Sequence, residues 1–292
     1  MPDESSLRRL GIDLDAYFER IAYAGPRSVS SDTLAAIHLQ HPRAIPFENL
    51  NPFLRWPVSL DALSLQQKFV RDGRGGYCYE HNLLLSHVLR QLGFQVRWLA
   101  ARVLWNVPEG TVRPRSHMLL LVDLDDRQYV ADVGFGGLTL TAPLRLQVDI
   151  EQITPHEPCR VIAARDAFLV QAKVGDSWRS LYAFDLQEQV QADYEVVNWY
   201  LCNNPSSHFV TGLIAARPDR ECRYALRGNE LAVHHVNGGT ERRLLTSTGE
   251  LRGALEEIFR VTLPEGPELH AALERVITGC DAAPSSGSAL PT

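Results

Sequence analysis

The sequence has no dense run of lysine and arginine, and its formal net charge is −6. It therefore offers no electrostatic footprint for a nucleic-acid backbone or an anionic membrane surface. No apolar stretch approaches the ~20 residues that a bilayer span requires. The start, Met1-Pro2-Asp3-Glu4-Ser5, lacks the basic and apolar regions of a secretory signal, so a cytoplasmic protein is expected. There is no P-loop and no GxGxxG, so no motif announces bound phosphates. His38 with His41, and His81 with His87, lack the accompanying cysteines or carboxylates of a metal site; surface or structural roles and no metal are expected. Cysteine is scarce: Cys78, Cys159, Cys202, Cys222 and Cys280 are odd in number and scattered, which fits reduced thiols better than a disulfide framework. Four of them read as small core residues. Cys78 has a different context.

What is present is an ordinary globular composition, 45% hydrophobic and 22% charged over 292 residues. That is enough chain for one large domain or about two of ~150 residues, with a sizeable core. Residues 7–90 read mainly as helices. Leu14, Tyr17, Phe18 and Ile21 fall at i, i+3, i+4 and i+7, one buried face, and Leu34 to Leu39 behaves similarly. Prolines at 42, 46, 52 and 57 predict an irregular connection from Pro42 to Pro57 that could line a site. After Gly75-Gly76, Leu84, Val88 and Leu92 recur at helical spacing, with Gly93 as the stop.

Beyond Gly93 the period becomes that of strands: Gln95–Trp105, Ser116–Leu124, Arg127–Phe135, Cys159–Ala164, Ala167–Val174 and Trp178–Phe184. Pattern alone makes residues 94–190 a sheet or a barrel. Glu230–Val236 and Thr240–Leu245 read as a hairpin across Asn237-Gly238-Gly239. Ser247 and Glu250 have the spacing of a capping box ahead of Leu251–Phe259, and Pro267 to Ile277 reads as an amphipathic helix. The Ala-, Pro- and Ser-rich tail, 281–292, is expected to be disordered.

The informative stretch is Arg74-Gly75-Gly76-Tyr77-Cys78-Tyr79-Glu80-His81-Asn82. Two glycines allow a sharp turn into a helix, and a cysteine in its first turn meets unpaired N–H groups and the positive end of the helix dipole, which favour thiolate. Such a nucleophile needs a base, and the base needs a third group to fix its tautomer. His117 opens one apolar strand and Asp132 closes the next. Counted from the turn at Asp125-Asp126, 117 lies about eight residues before and 132 about six after, which brings them close in an antiparallel pair. Glu80 is expected to face away from Cys78 and pair structurally, as with Arg74. Trp98 and Trp105 read as core or pocket wall, and Tyr77 and Tyr79 as packing around the helix start.

The segment around Cys78, followed by His117 and Asp132 in that order, resembles the arylamine N-acetyltransferases. The resemblance extends to Ile45-Pro46-Phe47-Glu48-Asn49-Leu50, Val133-Gly134-Phe135-Gly136-Gly137 and Ser207-His208-Phe209-Val210, and so covers about residues 17–277. It implies an α+β fold: an N-terminal helical bundle carrying the nucleophile (1–93), a central β-barrel carrying His and Asp (94–190), and an interdomain segment with a C-terminal α/β lid (191–280). The Cys-His-Asp core would be like that of cysteine proteases. The implied reaction is ping-pong: acetyl-CoA, a co-substrate with no permanently bound cofactor, acetylates Cys78, and an arylamine, hydrazine or N-hydroxyarylamine takes the acetyl group. The Cys78 N–H is one candidate oxyanion donor, at a helix start; the resemblance adds a backbone N–H around Val103. It places Phe135, Gly136, Gly137, Phe209 and Thr211 near the cofactor and makes Phe47, Val103 and Phe135 the apolar wall of the acceptor pocket. It leaves a homodimer open.

The order Cys, His, Asp also belongs to papain-like peptidases and transglutaminases, which makes a thiol hydrolase or cross-linking enzyme the first rival. The matches at 45–50 and 133–137 favour the CoA-dependent family. A macrolactam-forming amide synthase is a rival within the resemblance. A non-catalytic ligand-binding relative is disfavoured by the intact Cys78, His117 and Asp132.

Overall fold

The computed structural model describes residues 11–108 and 110–279. The expected tail at 281–292 and Cys280 lie outside them. Helices begin where short polar side chains take up free N–H groups. Asp13 accepts from Ala16 N at 3.1 Å ahead of α1 (Leu14–Arg20), and Ser30 from Thr33 N at 3.2 Å ahead of α2 (Ser31–Ala44). Each such cap contributes about 1 kcal/mol. The irregular connection expected from Pro42 starts later, because α2 runs through Pro42 to Ala44. A proline in the last turn forfeits one backbone bond, while His38 and His41 bury that turn and Ile45 N–H closes on His41 O at 2.8 Å. The two-residue strand β1 (Phe47–Glu48), α3 (Leu50–Phe53), α4 (Ala62–Gln66) with a π-helical turn at Gln67–Arg71, and α5 (Cys78–Gln91) follow.

Seven strands, β2 (Gln95–Val103), β3 (Arg115–Leu124), β4 (Arg127–Ala131), β5 (Leu144–Arg145), β6 (Cys159–Ala164), β7 (Ala167–Val174) and β8 (Ser177–Glu188), form one antiparallel sheet in the order β5-β4-β3-β2-β8-β7-β6. Its ends approach through bridges Val148–Val161 and Gln152–Cys159, giving a nearly closed barrel. The β3–β4 turn is Asp125-Asp126, both left-handed (φ 49° and 57°), the conformation a two-residue hairpin asks for and Asp tolerates. Along β3 both faces are buried. Met118, Leu120 and Val122 pack on the helices and Leu119 and Leu121 fill the barrel, which is why the strand reads as a continuous apolar run.

The last part contains α6 (Gln191–Asn203), α7 (His208–Thr211), strands β9 (Ile214–Pro218), β10 (Cys222–Arg227), β11 (Glu230–His235) and β12 (Thr240–Leu244), then α8 (Thr248–Gly253), a second π-helical turn at Ala254–Ile258, and α9 (Pro267–Thr278). Ser247 caps α8 through Glu250 N at 3.2 Å, but the Glu250 carboxylate takes Thr246 N–H at 2.7 Å, so half of the expected capping box forms. Strand β1 joins this second sheet, in the order β1-β9-β10-β11-β12, pairing Phe47 with Ala216. A strand from the first fifty residues thus ties the neighbourhood of Cys78 to the C-terminal sheet. No helix of the described residues is long and apolar enough to cross a membrane.

Candidate active site

Cys78 is the first residue of α5 and is 4% exposed. The glycines before it serve close approach, not a left-handed turn: a Cβ on Gly75 would stand 1.9 Å from Pro46 O, and one on Gly76 2.3 Å from a Glu80 carboxylate oxygen. That carboxylate caps the helix by accepting Tyr77 N–H at 3.1 Å. Glu80 pairs with Lys68 at 2.7 Å, and Arg74 pairs with Glu48 at 2.8 Å, which corrects the expected Arg74–Glu80 pairing. The reason is strand β1, absent from the sequence reading, which carries Glu48 to the glycine turn through Glu48 N–H to Gly76 O at 2.8 Å.

His117 and Asp132 meet across β3 and β4. Leu120 pairs with Ala131, so the register would set residue 134 opposite His117 and leaves Asp132 on the same-face diagonal. His117 Nε2 lies 2.7 Å from Asp132 Oδ2. Asp132 Oδ1 accepts from Asn82 Nδ2 at 3.0 Å and Gly134 N at 2.9 Å. Burial disfavours the Asp132 carboxylate, but the His117 charge and these hydrogen bonds outweigh it and lower its pKa. Burial likewise disfavours the His117 cation. The Asp132 charge and hydrogen bond, with the Cys78 side chain, outweigh it and raise the pKa to about 10. Because Nε2–H points at Asp132, Nδ1 is the nitrogen left for a proton from Cys78. Phe135 and Tyr182 hold the ring at centroid distances of 5.1 and 5.0 Å.

A Cβ on Gly134 would stand 2.8 Å from Cys78 Cα, so the loop after Asp132 packs directly on the Cys78 backbone. A cavity of about 70 Å³ opens over Cys78 and His117. Phe47, Val103, Phe135 and Phe209 line it, and Trp105 and His208 stand there too. Gly136 and Gly137 lie with Phe47 along an adjoining cleft against β9 and β10. Thr211 lines neither; its hydroxyl donates to Ser207 O at 3.1 Å. Cys78 N–H lies outside the ladder of its own helix. Leu104 N–H donates to Leu181 O at 2.8 Å, so Val103, opposite Tyr182, turns its N–H away from β8 toward the β3 side, where pairing ends at Arg102.

Sequence reasoning missed Asn82 and His38. Asn82 Nδ2 also donates to Met118 O at 2.8 Å, and Oδ1 accepts Val133 N–H at 3.1 Å, so one amide links α5 to both strands. Its place one helical turn after Cys78, on the same side of α5, was the available signal. His38 Nε2 accepts Asp132 N–H at 3.0 Å, a contact between residues 94 apart for which no local pattern exists. Asn49, in the 45–50 segment, donates to Phe209 O and Gly212 O at 2.8 and 2.7 Å and accepts Ile214 N–H at 2.7 Å. It fastens the cavity's Phe209 side to β1.

The N-acetyltransferase family model matches residues 30–267. An arylamine N-acetyltransferase of Mycobacterium tuberculosis is 42% identical over 271 residues, 91% of this chain and 95% of that protein. A Salmonella typhimurium relative, named arylamine N-acetyltransferase / N-hydroxyarylamine O-acetyltransferase, is 37% identical over 94% of this chain and 98% of its own. The structure of Mycobacterium marinum arylamine N-acetyltransferase in complex with CoA matches with a TM-score of 0.87 and 40% identity, covering 90% of this chain and 99% of that one. With a family model over most of the chain and relatives similar nearly end to end, the chain belongs to the arylamine N-acetyltransferase family.

Proposed function

We propose that the protein transfers an acetyl group from acetyl-CoA to arylamines, hydrazines and N-hydroxyarylamines by a ping-pong reaction through acetyl-Cys78, with His117 and Asp132 as its acid-base pair. The observation that carries this reading is the buried His117–Asp132 pair beside a cysteine at the first residue of a helix, at the base of an apolar cavity. Residues 1–93 then supply the nucleophile, 94–190 the pair and 191–280 the lid. The family and the CoA complex of the M. marinum relative support acetyl-CoA as donor.

In the first half, the Cys78 thiol gives its proton to His117 Nδ1 and the sulfur attacks the thioester carbonyl. An imidazolium at His117, favoured by a pKa of about 10, is what a deprotonated thiol needs beside it. The tetrahedral oxyanion faces the N–H groups of Cys78 and Val103. CoA leaves as its thiol with the imidazolium proton, and a thioester replaces a thioester at little net cost. In the second half the amine nitrogen attacks acetyl-Cys78, His117 takes the amine proton and returns it to the departing Cys78 sulfur. Formation of an amide, or of an ester on an N-hydroxyl oxygen, releases the free enzyme. Phe135, Gly136, Gly137, Phe209 and Thr211 are proposed to border the CoA chain, and Phe47, Val103 and Phe135 the acceptor.

The test is intact-protein mass spectrometry after brief incubation with acetyl-CoA and no amine, on wild type and Cys78→Ala. One acetyl group on wild type, absent from the variant and discharged by an arylamine, is expected. No adduct from acetyl-CoA or propionyl-CoA, on a thiol that still reacts with iodoacetamide, would overturn the CoA-dependent reading in favour of an amide synthase or thiol hydrolase.

A further inference from the structure

Behind the cavity, three fully buried side chains that the proposed chemistry does not use form a row: Tyr17 Oη lies 2.8 Å from His41 Nδ1, His41 Nε2 2.9 Å from His81 Nδ1, and His81 Nε2 3.1 Å from Pro46 O. The row has one direction. A peptide carbonyl only accepts, so His81 Nε2 carries a proton and donates. Burial keeps both imidazoles neutral by lowering their pKa values, in His81 to about 4. His81 Nδ1 is therefore bare and accepts from His41 Nε2–H, whose own Nδ1 is bare and accepts the Tyr17 hydroxyl.

The carbonyl at the end of the row sits at the crowded contact between Pro46 and Gly75, and the next residue, Phe47, bridges to Gly76 and lines the cavity over Cys78. The Phe47 ring lies parallel to His81, at 7° between planes and 6.4 Å between centroids. His81 itself is three residues after Cys78 on α5, so the imidazole measures the distance from the nucleophile's helix to the aromatic wall facing it.

We infer that Tyr17, His41 and His81 act as positioning residues, a one-way hydrogen-bond chain that sets Phe47 relative to Cys78 and thereby how readily an aromatic group is admitted beside the thiol. For acceptor choice this rests on the acetyl-transfer reading, but the position of Phe47 does not. The chain fixes Phe47 from behind, because β1 is two residues long and has few bonds of its own.

The test compares alkylation of Cys78 by iodoacetamide and by 2-iodo-N-phenylacetamide, which share an electrophile and differ by one aryl group, followed on the Cys78 peptide. His81→Leu is expected to shift the aryl-to-amide rate ratio by about fivefold or more, the effect of one lost buried hydrogen bond expressed at the site. His81→Gln, which keeps an N–H for Pro46 O, returns the ratio to within about twofold of wild type. Tyr17→Phe, which removes the terminal donor and keeps the ring, shifts it by about two- to threefold. A folded His81→Leu protein with a wild-type ratio would overturn the inference and leave these residues as core packing. Should His81→Leu fail to fold, Tyr17→Phe decides, and an unchanged ratio there overturns it equally. Failure of wild type to accept an acetyl group from acetyl-CoA would instead sink the acetyl-transfer reading and leave the ratio readable.

Discussion

The two sides of the cavity over Cys78 are built differently. On the inner side both Asp132 carboxylate oxygens and its N–H are used, by His117, Asn82, Gly134 and His38, and Asn82 itself makes three bonds. On the outer side Trp105 Nε1 and His208 Nε2 are buried without hydrogen-bond partners, and Arg113 lines the cavity with no ion pair among the described residues. A carboxylate so bonded is held in one geometry, as the proposed acid-base role requires, although His38 Nδ1 behind it has no partner among the described residues. Unpartnered donors at a mouth are complete only with a ligand present. The difference teaches that the groups of the proposed chemistry are arranged in advance and that the mouth is left for what binds.

The largest effect should come from Asp132→Asn. An amide in place of Oδ2 offers His117 a weaker acceptor or a donor, and the imidazole loses both its tautomer lock and its charge partner. The rate of acetyl-Cys78 formation should fall by about 10³- to 10⁴-fold with the fold retained, measured by quenched-flow mass spectrometry. A loss under tenfold would mean that the inner network does not hold the geometry the chemistry needs.

Next in size is Glu48→Gln behind the glycine turn that precedes Cys78. Burial opposes the Glu48 carboxylate, but the charges of Arg74 and Lys68 prevail and keep its pKa below the ordinary value. Neutralising it strands Arg74, 9% exposed, opposite an amide. Stability should drop by about 3–5 kcal/mol in urea melts. Arg97→Gln, which breaks the half-exposed pair with Asp123, should cost under about 1 kcal/mol.

Titration touches both sides. His38 and His81 on the inner side and His208 at the mouth each have a pKa near 4, lowered chiefly by burial. The native state therefore binds fewer protons than the unfolded chain between about pH 4 and 6.5. Their contribution is full above about 6.5 and falls as pH drops, by about 2 kcal/mol for each at pH 5. His117 has the opposite sign. Its contribution is full below the ordinary histidine value and is lost as pH rises through about 10. Urea melts across pH 4–10 should show a broad maximum falling away on both sides. A His38→Gln protein as acid-sensitive as wild type would remove His38 from this account.

What the sequence made legible follows from the range of each interaction. Strands β6 and β7 alternate and are bounded by turns, so their limits were readable, and the turn at Asp125-Asp126 located the hairpin that brings His117 to Asp132. Helix α6 was not readable. Val196, Trp199 and Tyr200 are exposed on it while Tyr194 and Leu201 are buried, which blurs the apolar stripe. Strands β1 and β9 were hidden for other reasons: one is two residues long, and the other is buried on both faces and does not alternate. In the candidate site, Cys78, His117 and Asp132 stood out as residue types, whereas Asn82, His38 and Asn49, which tie the surrounding segments together, act across 36 to 165 residues of chain. Motifs mark reactive groups, and long-range packing decides what surrounds them.

The smallest effect should come from the outer side. Arg113 is half-buried at the cavity and its charge helps lower the His208 pKa, but among the described residues it makes no ion pair whose loss would strand a buried carboxylate. Arg113→Gln should change stability by less than about 0.5 kcal/mol. Removing one cation from the mouth should raise the KM of an anionic ligand, CoA thioester or carboxylated arylamine, by about two- to tenfold. The acetylation rate at saturating donor should stay within about twofold of wild type, because no bond to His117 or Asp132 passes through this residue. If Arg113→Gln instead lowered the saturated rate as Asp132→Asn does, the mouth would belong to the preorganised machinery and the contrast between the two sides would fail.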